Sequence, residues 1–522
     1  MKKLFSIACA VFIISVFTAQ EKSYKNISFG EQYKKGLKTS FFDFKPIGYS
    51  QKGTIGYLMP YSAVSPSAVG STKNYRICLV NEELRISKET EINLEIDGKE
   101  RSFIELFMLN DKIYLISSYQ NQNDKKHYLF SETFNKETLE QNNDIKKIAE
   151  ISYEESNKYN TLSTGVNFSP DSTKIHLHYT LLNNNSLVKN FSFTVFNQDF
   201  TPYWMYDKET NFLSDSLYLS INSVVSNNGD VHYLYQTFKD NDERGNHFLS
   251  LYANRSKDQK MRYEYKVISF LKSRDTPIER TIHLGDNNFI RETSIYATDK
   301  NVVCLGLLSD NQKLTLSGAY SVVFSSNSVD KISQKTIAFP AEAILAENLD
   351  KADIKAKDKF FYLPEKIIQR KDGGFYFLAE QTWKQQENQG NYISTVFRVN
   401  NILIVSFNSS GIPEWTQKIL KRQYAEDFSS LSFKPLLYGE SLYVIYSEFS
   451  KKNYGLSALK DSKMFVAKIS KDGNITVSQF GSTKEQDCVI KTYSTSWFNN
   501  NSVLLYGEGG LGGKYKFAKI DL

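Results

Sequence analysis

The sequence predicts an all-β protein, a β-propeller of eight, or alternatively seven, four-stranded antiparallel blades. Three observations predict this fold class: an aromatic-rich composition, a hairpin unit that recurs along the whole chain, and a last unit that lacks its fourth strand. The 522 residues include 36 phenylalanines and 33 tyrosines against only ten prolines, which is typical of strands joined by polar turns. Because the units repeat, one repeat array explains the length better than three unrelated domains.

The repeated unit is a hairpin of two strands, then a variable loop, a third strand and a turn into a fourth. Its second strand recurs as an apolar, aromatic-rich run at residues 113–116, 175–179, 231–235, 302–305, 375–378, 442–446 and 503–506. Asn, Asp and Gly precede these runs, as in Asn228-Gly229-Asp230 and Asp372-Gly373-Gly374, and they tolerate the positive φ of tight hairpins. A fainter unit around Gly53-Thr54 raises the count from seven to eight.

A longer internal match and the end of the chain support the ring. Phe196-Asn197 precedes Pro202-Tyr203-Trp204 at the same spacing as Phe407-Asn408 precedes Pro413-Glu414-Trp415. The last unit ends after its third strand, at residues 515–520. We therefore expect residues 21–40 to supply the missing fourth strand, so that the N-terminal segment closes the ring.

Two short segments resemble known propeller repeats. The hairpin Phe168-Ser169-Pro170-Asp171-Ser172-Thr173-Lys174-Ile175 resembles the Ser-Pro-Asp-Gly hairpin of TolB-like propeller repeats, with Ser172 in place of the usual Gly. The turn from Gly411 to Trp415 is similar to those of secreted bacterial propellers with quinoprotein-like blades, although the repeated tryptophan-docking motif is missing. These resemblances imply a secreted bacterial β-propeller and carry no information on function.

The N-terminus has the pattern of a secretory signal peptide. Lys2 and Lys3 precede an apolar run at residues 4–17, and small residues follow it. The run is shorter than the roughly 20 residues of a membrane-spanning helix. We therefore expect removal of residues 1–20, with an uncleaved anchor as the alternative, and a single propeller domain over residues 21–522. The predicted location is the periplasm, the outer cell surface or the exterior, with no transmembrane segment.

Net charge and cysteine content bear on two classes of protein, nucleic-acid-binding proteins and disulfide-stapled scaffolds. Loss of residues 1–20 lowers the formal net charge from +6 to +4, close to neutral for a chain of this length, and we expect no nucleic-acid partner. Three cysteines remain, Cys78, Cys304 and Cys488, too few for a disulfide-stapled scaffold. We predict three reduced thiols, with a Cys78–Cys488 disulfide as the alternative.

One segment departs from the strand pattern. Residues 341–359 are rich in Ala and Lys, and their apolar residues stand at near-helical spacing. This spacing predicts a short helical insertion between two units. An irregular charged crossover is the alternative.

Motifs of catalysis and metal binding are absent from the sequence. There is no G-x-S-x-G, H-E-x-x-H or P-loop motif. His176 and His178 share a strand without a third ligand nearby, and the loop from Asp240 departs from the calcium pattern at Arg244 and Leu251. We expect no cofactor and no metal site, while calcium bound by backbone carbonyls of acidic turns stays open.

The candidate ligand-binding residues stand in the longest loops between second and third strands, residues 236–263, 380–398 and 447–463. All of these loops lie on one face of a propeller, which we call the loop face. Aromatic side chains among polar ones are common in recognition surfaces; here the candidates are Arg244, His247, Tyr252, Trp383, Tyr392 and Tyr454. The alternative is that these rings pack within their own loops.

The sequence therefore favours a non-enzymatic binding or scaffolding propeller that recognises a protein, peptide or glycan through its loop face. We expect a monomer. The alternative is a carbohydrate-active or related hydrolytic enzyme, whose carboxyl groups would come from separate blades and meet at the central channel.

Overall fold

The computed structural model describes most of the chain after the first 21 residues. The described residues are 22–24, 26–34, 41–60, 75–152, 161–182, 188–207, 218–238, 263–285, 288–310, 316–339, 361–388, 393–425, 431–449, 462–509 and 514–522. The predicted signal peptide and the predicted helix at residues 341–359 lie outside them.

The described residues form eight blades, each a four-stranded sheet with antiparallel neighbours. The chain begins with β1 (Lys22–Ser23), β2 (Ile27–Phe29) and β3 (Tyr33–Lys34). Blade 1 is β4 (Phe41–Ser50), β5 (Gly53–Pro60), β6 (Arg76–Val80) and β7 (Ile86–Glu91), followed by a small hairpin of β8 (Glu95–Ile96) and β9 (Lys99–Glu100). Blade 2 is β10 (Ser102–Leu109), β11 (Lys112–Asn121), β12 (Lys126–Phe134) and β13 (Lys146–Ser152). Blade 3 is β14 (Thr161–Phe168), β15 (Lys174–Leu182), β16 (Val188–Asn197) and β17 (Pro202–Asp207).

The other blades follow in chain order. Blade 4 is β18 (Tyr218–Val225), β19 (Val231–Phe238), β20 (Tyr263–Phe270) and β21 (Ile278–Thr281). Blade 5 is β22 (Phe289–Ala297), β23 (Asn301–Ser309), β24 (Gly318–Ser325) and β25 (Lys331–Ala338). Blade 6 is β26 (Phe361–Gln369), β27 (Phe375–Asn388), β28 (Ile393–Phe407) and β29 (Pro413–Ile419), with β30 (Gln423–Ala425) beside β28. Blade 7 is β31 (Phe433–Tyr438), β32 (Ser441–Glu448), β33 (Lys463–Ile469) and β34 (Ile475–Ser482).

Blade 8 combines both ends of the chain. A short helix, α1 (Thr483–Gln486), leads into β35 (Val489–Ile490), a 3₁₀ turn (Thr492–Ser494), β36 (Ser496–Trp497), β37 (Ser502–Glu508) and β38 (Lys514–Asp521). The eight-bladed all-β propeller predicted from the sequence is confirmed, and each predicted second strand coincides with an observed one. No helix in the described residues is long and apolar enough to cross a membrane.

The N-terminal strands close the ring, as predicted. β2 and β3 pair antiparallel with β38 and so provide the outer strand of blade 8. β1 adds in parallel to β34 of blade 7. The Gly30 amide donates to the Phe517 carbonyl at 2.9 Å, and the Tyr24 hydroxyl donates to the Asp521 carbonyl at 2.7 Å. The segment therefore joins blades 7 and 8 as well as completing the last sheet.

A separate hydrophobic cluster fills each interface between neighbouring blades. In β27, Phe375, Phe377 and Ala379 pack against blade 5, whereas Tyr376 and Leu378 pack against blade 7. A second strand is thus buried on both faces, and this explains why its sequence is a continuous apolar run rather than an alternating one.

The two tryptophans of the internal match join neighbouring blades. The Trp204 indole donates to the carbonyl of Gly229 in blade 4, and the Trp415 indole donates to the carbonyl of Lys471 in blade 7, each at 2.8 Å. A glycine with positive φ, Gly229 or Gly473, stands in each accepting turn. A Cβ at Gly473 would lie 2.9 Å from the Trp415 ring, so glycine permits the close approach.

The three cysteines lie in three different interface clusters. Cys78, Cys304 and Cys488 are buried and unpaired, and burial raises the pKa of all three thiols. The described structure therefore agrees with the prediction of three reduced thiols.

We predict that Gly30→Ala weakens the closure of the ring. A Cβ at Gly30 would lie 2.7 Å from the Leu84 Cβ and 2.9 Å from the Leu84 carbonyl oxygen of blade 1, and overpacking of this kind typically costs about 1–3 kcal/mol. Urea denaturation of the variant should show this loss. Ser28→Ala, at an exposed position of β2 two residues before Gly30, is the control and should stay within about 0.5 kcal/mol of the wild type. Equal stabilities of the two variants would contradict the prediction.

Candidate functional site

The first strand of each blade lies nearest the axis of the ring, because first strands of neighbouring blades contact each other. β4 contacts β10, β14 contacts β18, and β22 contacts both β18 and β26. In blade 8 the wall at this position is built from β35, the 3₁₀ turn and β36, and the turn contacts β31 and β4. Side chains of these segments therefore surround the axial opening.

Bulges interrupt the register between the first and second strands of five blades. Blade 1 has two such bulges, at Phe42 and Ile47, and the other four blades have one each, at Ile104, Ile221, Arg291 and Glu365. A bulge re-aims a side chain without breaking the rest of the strand, and bulges are enriched beside functional sites. At this bulge, the adjacent blades 5 and 6 carry the charged residues Arg291 and Glu365, whereas blades 1, 2 and 4 carry isoleucine.

Three lysines stand on the first strands of blades 1, 6 and 7. Lys45 Nζ forms an ion pair with Glu105 Oε1 at 2.9 Å. Among the described residues, neither Lys366 nor Lys434 has a hydrogen-bond or ion-pair partner. Burial lowers the pKa of Lys366. Burial, together with the charges of Lys366 and Lys45, lowers the pKa of Lys434 to about 8. The axial wall is therefore cationic on this side.

Glu365 is a carboxyl group at the bulge of β26, directly before Lys366 in the chain. Solvent reaches its side chain, yet the surrounding protein desolvates it and raises its pKa to about 7, with a further rise from the charge of Glu380 and a fall from that of Lys421. A carboxyl group with this pKa can give or take a proton near neutral pH.

A fully buried polar network lies behind Glu365 and links blades 6 and 7. Lys421 Nζ binds Glu380 Oε1 and Gln423 Oε1, and both side chains of the Lys421–Glu380 pair are fully buried. Gln423 Nε2 donates to the Ser447 carbonyl at 2.7 Å. Burial raises the pKa of Glu380, and the Lys421 charge opposes that rise. This network joins β27, β30 and β32 through Lys421, which stands between β29 and β30.

A second buried carboxyl group lies where the ring closes. Asp43 of β4 is only 4% exposed, and its Oδ1 accepts from the Phe44 amide at 2.9 Å and from the Ser494 hydroxyl at 3.3 Å. Burial and the charge of Glu508 raise its pKa to about 7, whereas Lys491 and the two hydrogen bonds lower it.

Trp383 is the one candidate ligand-binding residue that lies in the described part of the chain. It is half-buried, and it stands opposite Arg398 in the β27–β28 hairpin. The other candidates lie outside the described residues and stay predictions: Arg244, His247, Tyr252, Tyr392 and Tyr454. Within the described residues, the structure thus locates Trp383 alone of these six.

The hairpin that carries Trp383 is longer than those of the other blades. β27 has 14 residues and β28 has 15, whereas the other second and third strands in the described residues have at most 10. Val396, nearer the tip than Trp383, packs against Tyr424. On the blade side of Val396, Phe397 packs against the cluster that contains Val399 and Phe449. The end of the hairpin thus extends toward the loop face from a packed base.

The paired histidines lie between blades 3 and 4. His176 is fully buried, and its Nε2 is 3.0 Å from the Tyr233 hydroxyl. Burial lowers the pKa of His176 and brings that of His178 to about 4. Both rings are thus neutral near pH 7, and the described residues contain no group of three or more side chains suited to a metal ion.

Sequence analysis missed the charged residues of the axial wall. The signal was a charged residue inside a predicted strand, five to eight residues before the turn glycine of its hairpin: Lys45 before Gly53, Lys366 before Gly373 and Lys434 before Gly439. Charged residues in strands are usually solvated. These positions therefore predict a charged wall only when the first strands are known to face one axis.

Comparison with known proteins finds only distant similarity to solved structures. No family model matches the chain, and no curated protein sequence matches it significantly. Among solved structures, a polysaccharide lyase is similar at 10% identity and a TM-score of 0.33, with 82% of this chain and 94% of that one covered. The β-propeller domain of the trilobed protease from Pyrococcus furiosus is similar at 10% identity and a TM-score of 0.30, covering 73% and 95%.

An α-L-arabinanase from Penicillium chrysogenum is a further similar structure, at 11% identity and a TM-score of 0.28, with 69% of this chain and 93% of that chain covered. At such identities and TM-scores the similarity transfers no activity, and the propeller fold rests on the observed strand pairing. The resemblance to TolB-like and quinoprotein-like repeats stays a prediction.

We predict that Lys421→Met destabilises the protein by about 3–5 kcal/mol, because it leaves the Glu380 carboxylate buried without its cation. Adding Glu380→Gln should restore most of the loss, as measured by urea denaturation. Lys45→Met is the matched control, since the Lys45–Glu105 pair is 42% and 31% exposed and such pairs contribute at most about 1 kcal/mol. A double variant as unstable as Lys421→Met would contradict this account.

We also predict that stability falls as pH rises from 4 to 7. The folded protein keeps the proton of Asp43 up to about pH 7, whereas the unfolded chain releases it near its ordinary pKa of 3.8. The stabilisation from this bound proton is fully present below pH 4. It is lost as the pH rises from 4 to about 7, at up to about 1.4 kcal/mol per pH unit. Urea midpoints from pH 4 to 8 should show a shallower slope for Asp43→Asn. Asp472→Asn, at an exposed turn, should keep the wild-type slope.

Proposed function

We propose that the protein is an exported, non-enzymatic binding or scaffolding propeller of the bacterial envelope or exterior, which recognises a protein, peptide or glycan through its loop face. The observation that carries this proposal is the long β27–β28 hairpin, which extends a packed ribbon with Trp383 toward that face. A rigid aromatic anchor contributes contact area at low entropic cost.

The two faces of the ring differ in what they leave available for a ligand. Turns between first and second strands and between third and fourth strands share one face, and their polar groups bind one another. In blade 3, for example, the Asp171 carboxylate accepts from Ser169 and Thr173. In blade 6, Asn408 Oδ1 accepts from the amides of Ser410 and Ile412. Such satisfied turns offer few free groups, which favours the opposite face for recognition.

Export is part of the proposal and is supported by the N-terminal pattern of two lysines followed by an apolar run. Removal of residues 1–20 would leave β1, β2 and β3 directly behind the new N-terminus. Mass spectrometry of protein recovered from the periplasm, membranes and medium of expressing cells would test both the cleavage site and the location.

We predict that Trp383→Ala weakens ligand binding at least about tenfold, because aromatic anchors dominate recognition surfaces. A glycan array and a peptide array identify a ligand for the wild type, and biolayer interferometry then compares the variants. Met205→Ala is the control, since Met205 is 61% exposed on the outer strand of blade 3 and should leave the affinity unchanged. Unchanged binding by folded Trp383→Ala protein would contradict the proposal.

A second candidate function is hydrolysis of a carbohydrate or related substrate at the central channel. It is favoured by Glu365, a solvent-accessible carboxyl group with a pKa of about 7 on the axial wall. A glycosidase needs such a group as its general acid, with a second carboxylate nearby. Product release from the array polysaccharides that disappears in Glu365→Gln would establish this function and overturn the proposal of a purely binding protein.

A further inference from the structure

Two lysines of the axial wall point in the same direction around the ring. Residues directly opposite each other in an antiparallel pair share a face. Lys366 stands opposite Leu378, which packs toward blade 7. Lys434 stands opposite Ile445, which packs toward blade 8. Lys366 thus stands on the face of β26 that is turned toward blade 7, where β31 carries Lys434. Lys434 stands on the face of β31 that is turned toward blade 8, where the 3₁₀ turn lies.

Neither ammonium group forms an ion pair within the described part of the chain. Lys45 forms an ion pair with Glu105 across blades 1 and 2, whereas Lys366 and Lys434 bind no acceptor among the described residues. The desolvation of both groups is unfavourable for the charged form, and the neighbouring positive charges add to it for Lys434. An anion at this position would relieve both effects.

An exposed aromatic ring lies on the turn that contacts β31, the strand of Lys434. The 3₁₀ turn of blade 8 lies between β31 and β4. Its residues Thr492 and Ser494 are buried, whereas Tyr493 is 39% exposed. A phenol ring offers a flat apolar face and a hydroxyl group, here on the turn that contacts the strand of Lys434. This combination suits a ligand that has both apolar faces and anionic groups.

We propose that Lys366, Lys434 and Tyr493 form a binding site for an anionic glycan, one that carries carboxylate or sulfate groups, at the axial opening of blades 6 to 8. This inference rests on the proposed binding function and names its ligand class. Lysines on successive blades repeat around the axis as anionic groups repeat along such a glycan. Tyr493 packs on the apolar face of a sugar ring, a surface that an acidic peptide of glutamates does not have.

The test measures binding of four probes to the full mature chain by isothermal titration calorimetry at low salt. The probes are oligogalacturonate for carboxylates, a sulfated dextran oligosaccharide for sulfates, neutral dextran, and polyglutamate. We expect at least one of the two anionic glycans to bind, and Lys366→Gln/Lys434→Gln to lower that affinity by about tenfold or more. Tyr493→Ala should lower it as well. Lys88→Gln, an exposed lysine of the outer strand β7, should change it less than about twofold.

Thermal unfolding without ligand provides a second measurement. Because each substitution removes an unpaired cation from a cationic wall, Lys366→Gln and Lys434→Gln should unfold at the wild-type temperature or above it. A clear fall in unfolding temperature would show that these lysines have internal partners, and would overturn the site.

Each binding outcome decides the question. Equal binding of neutral dextran, or polyglutamate binding that is insensitive to Tyr493→Ala, overturns the anionic-glycan site. If Trp383→Ala weakens the binding of a ligand from the arrays and the lysine substitutions leave its affinity unchanged, the proposed function stands and this inference fails. If neither the arrays nor the four probes yield a ligand, both fail.

Discussion

Closure of the ring by the N-terminal segment is the constraint on which the other contacts depend. An eight-bladed ring has eight interfaces, and the one between blades 8 and 1 forms only if the last sheet is complete. β2 and β3 provide its outer strand on β38, while β1 pairs with blade 7. Gly30 then lies against Leu84 of blade 1. Local hairpins can form early, but this closure joins residues almost 500 positions apart, so loop entropy opposes it until the other interfaces are formed.

Closure also explains the distribution of apolar and polar residues. Once every blade has a neighbour on both sides, the second strands are mostly buried on both faces, and their sequences become continuous apolar runs. First strands differ because one of their edges faces the axis. Charged side chains such as Lys45, Glu365 and Lys434 are therefore tolerated on them, and bulges can direct such groups without disturbing the hydrophobic interfaces.

The axial wall combines two kinds of charged group with different physical roles. Lys421 and Glu380 are fully buried and satisfy each other, so they specify how blades 6 and 7 meet. Glu365, Lys366 and Lys434 lie toward the opening, where solvent and a ligand can reach them, and their pKa values are shifted toward neutrality. Groups held partly desolvated and without internal partners are the ones whose energy a ligand can change.

The sequence by itself determined the fold class, the second strands, the matched Trp204 and Trp415 turns and the closure by residues 21–40, because hairpin turns and apolar periodicity are local properties of the chain. The location of the charged wall was decided only by the tertiary structure. Lys45, Lys366 and Lys434 are separated by up to about 390 residues and look like solvated strand positions in the sequence. They become neighbours of one axial opening because the first strands converge there, and convergence is a property of the closed ring rather than of any segment.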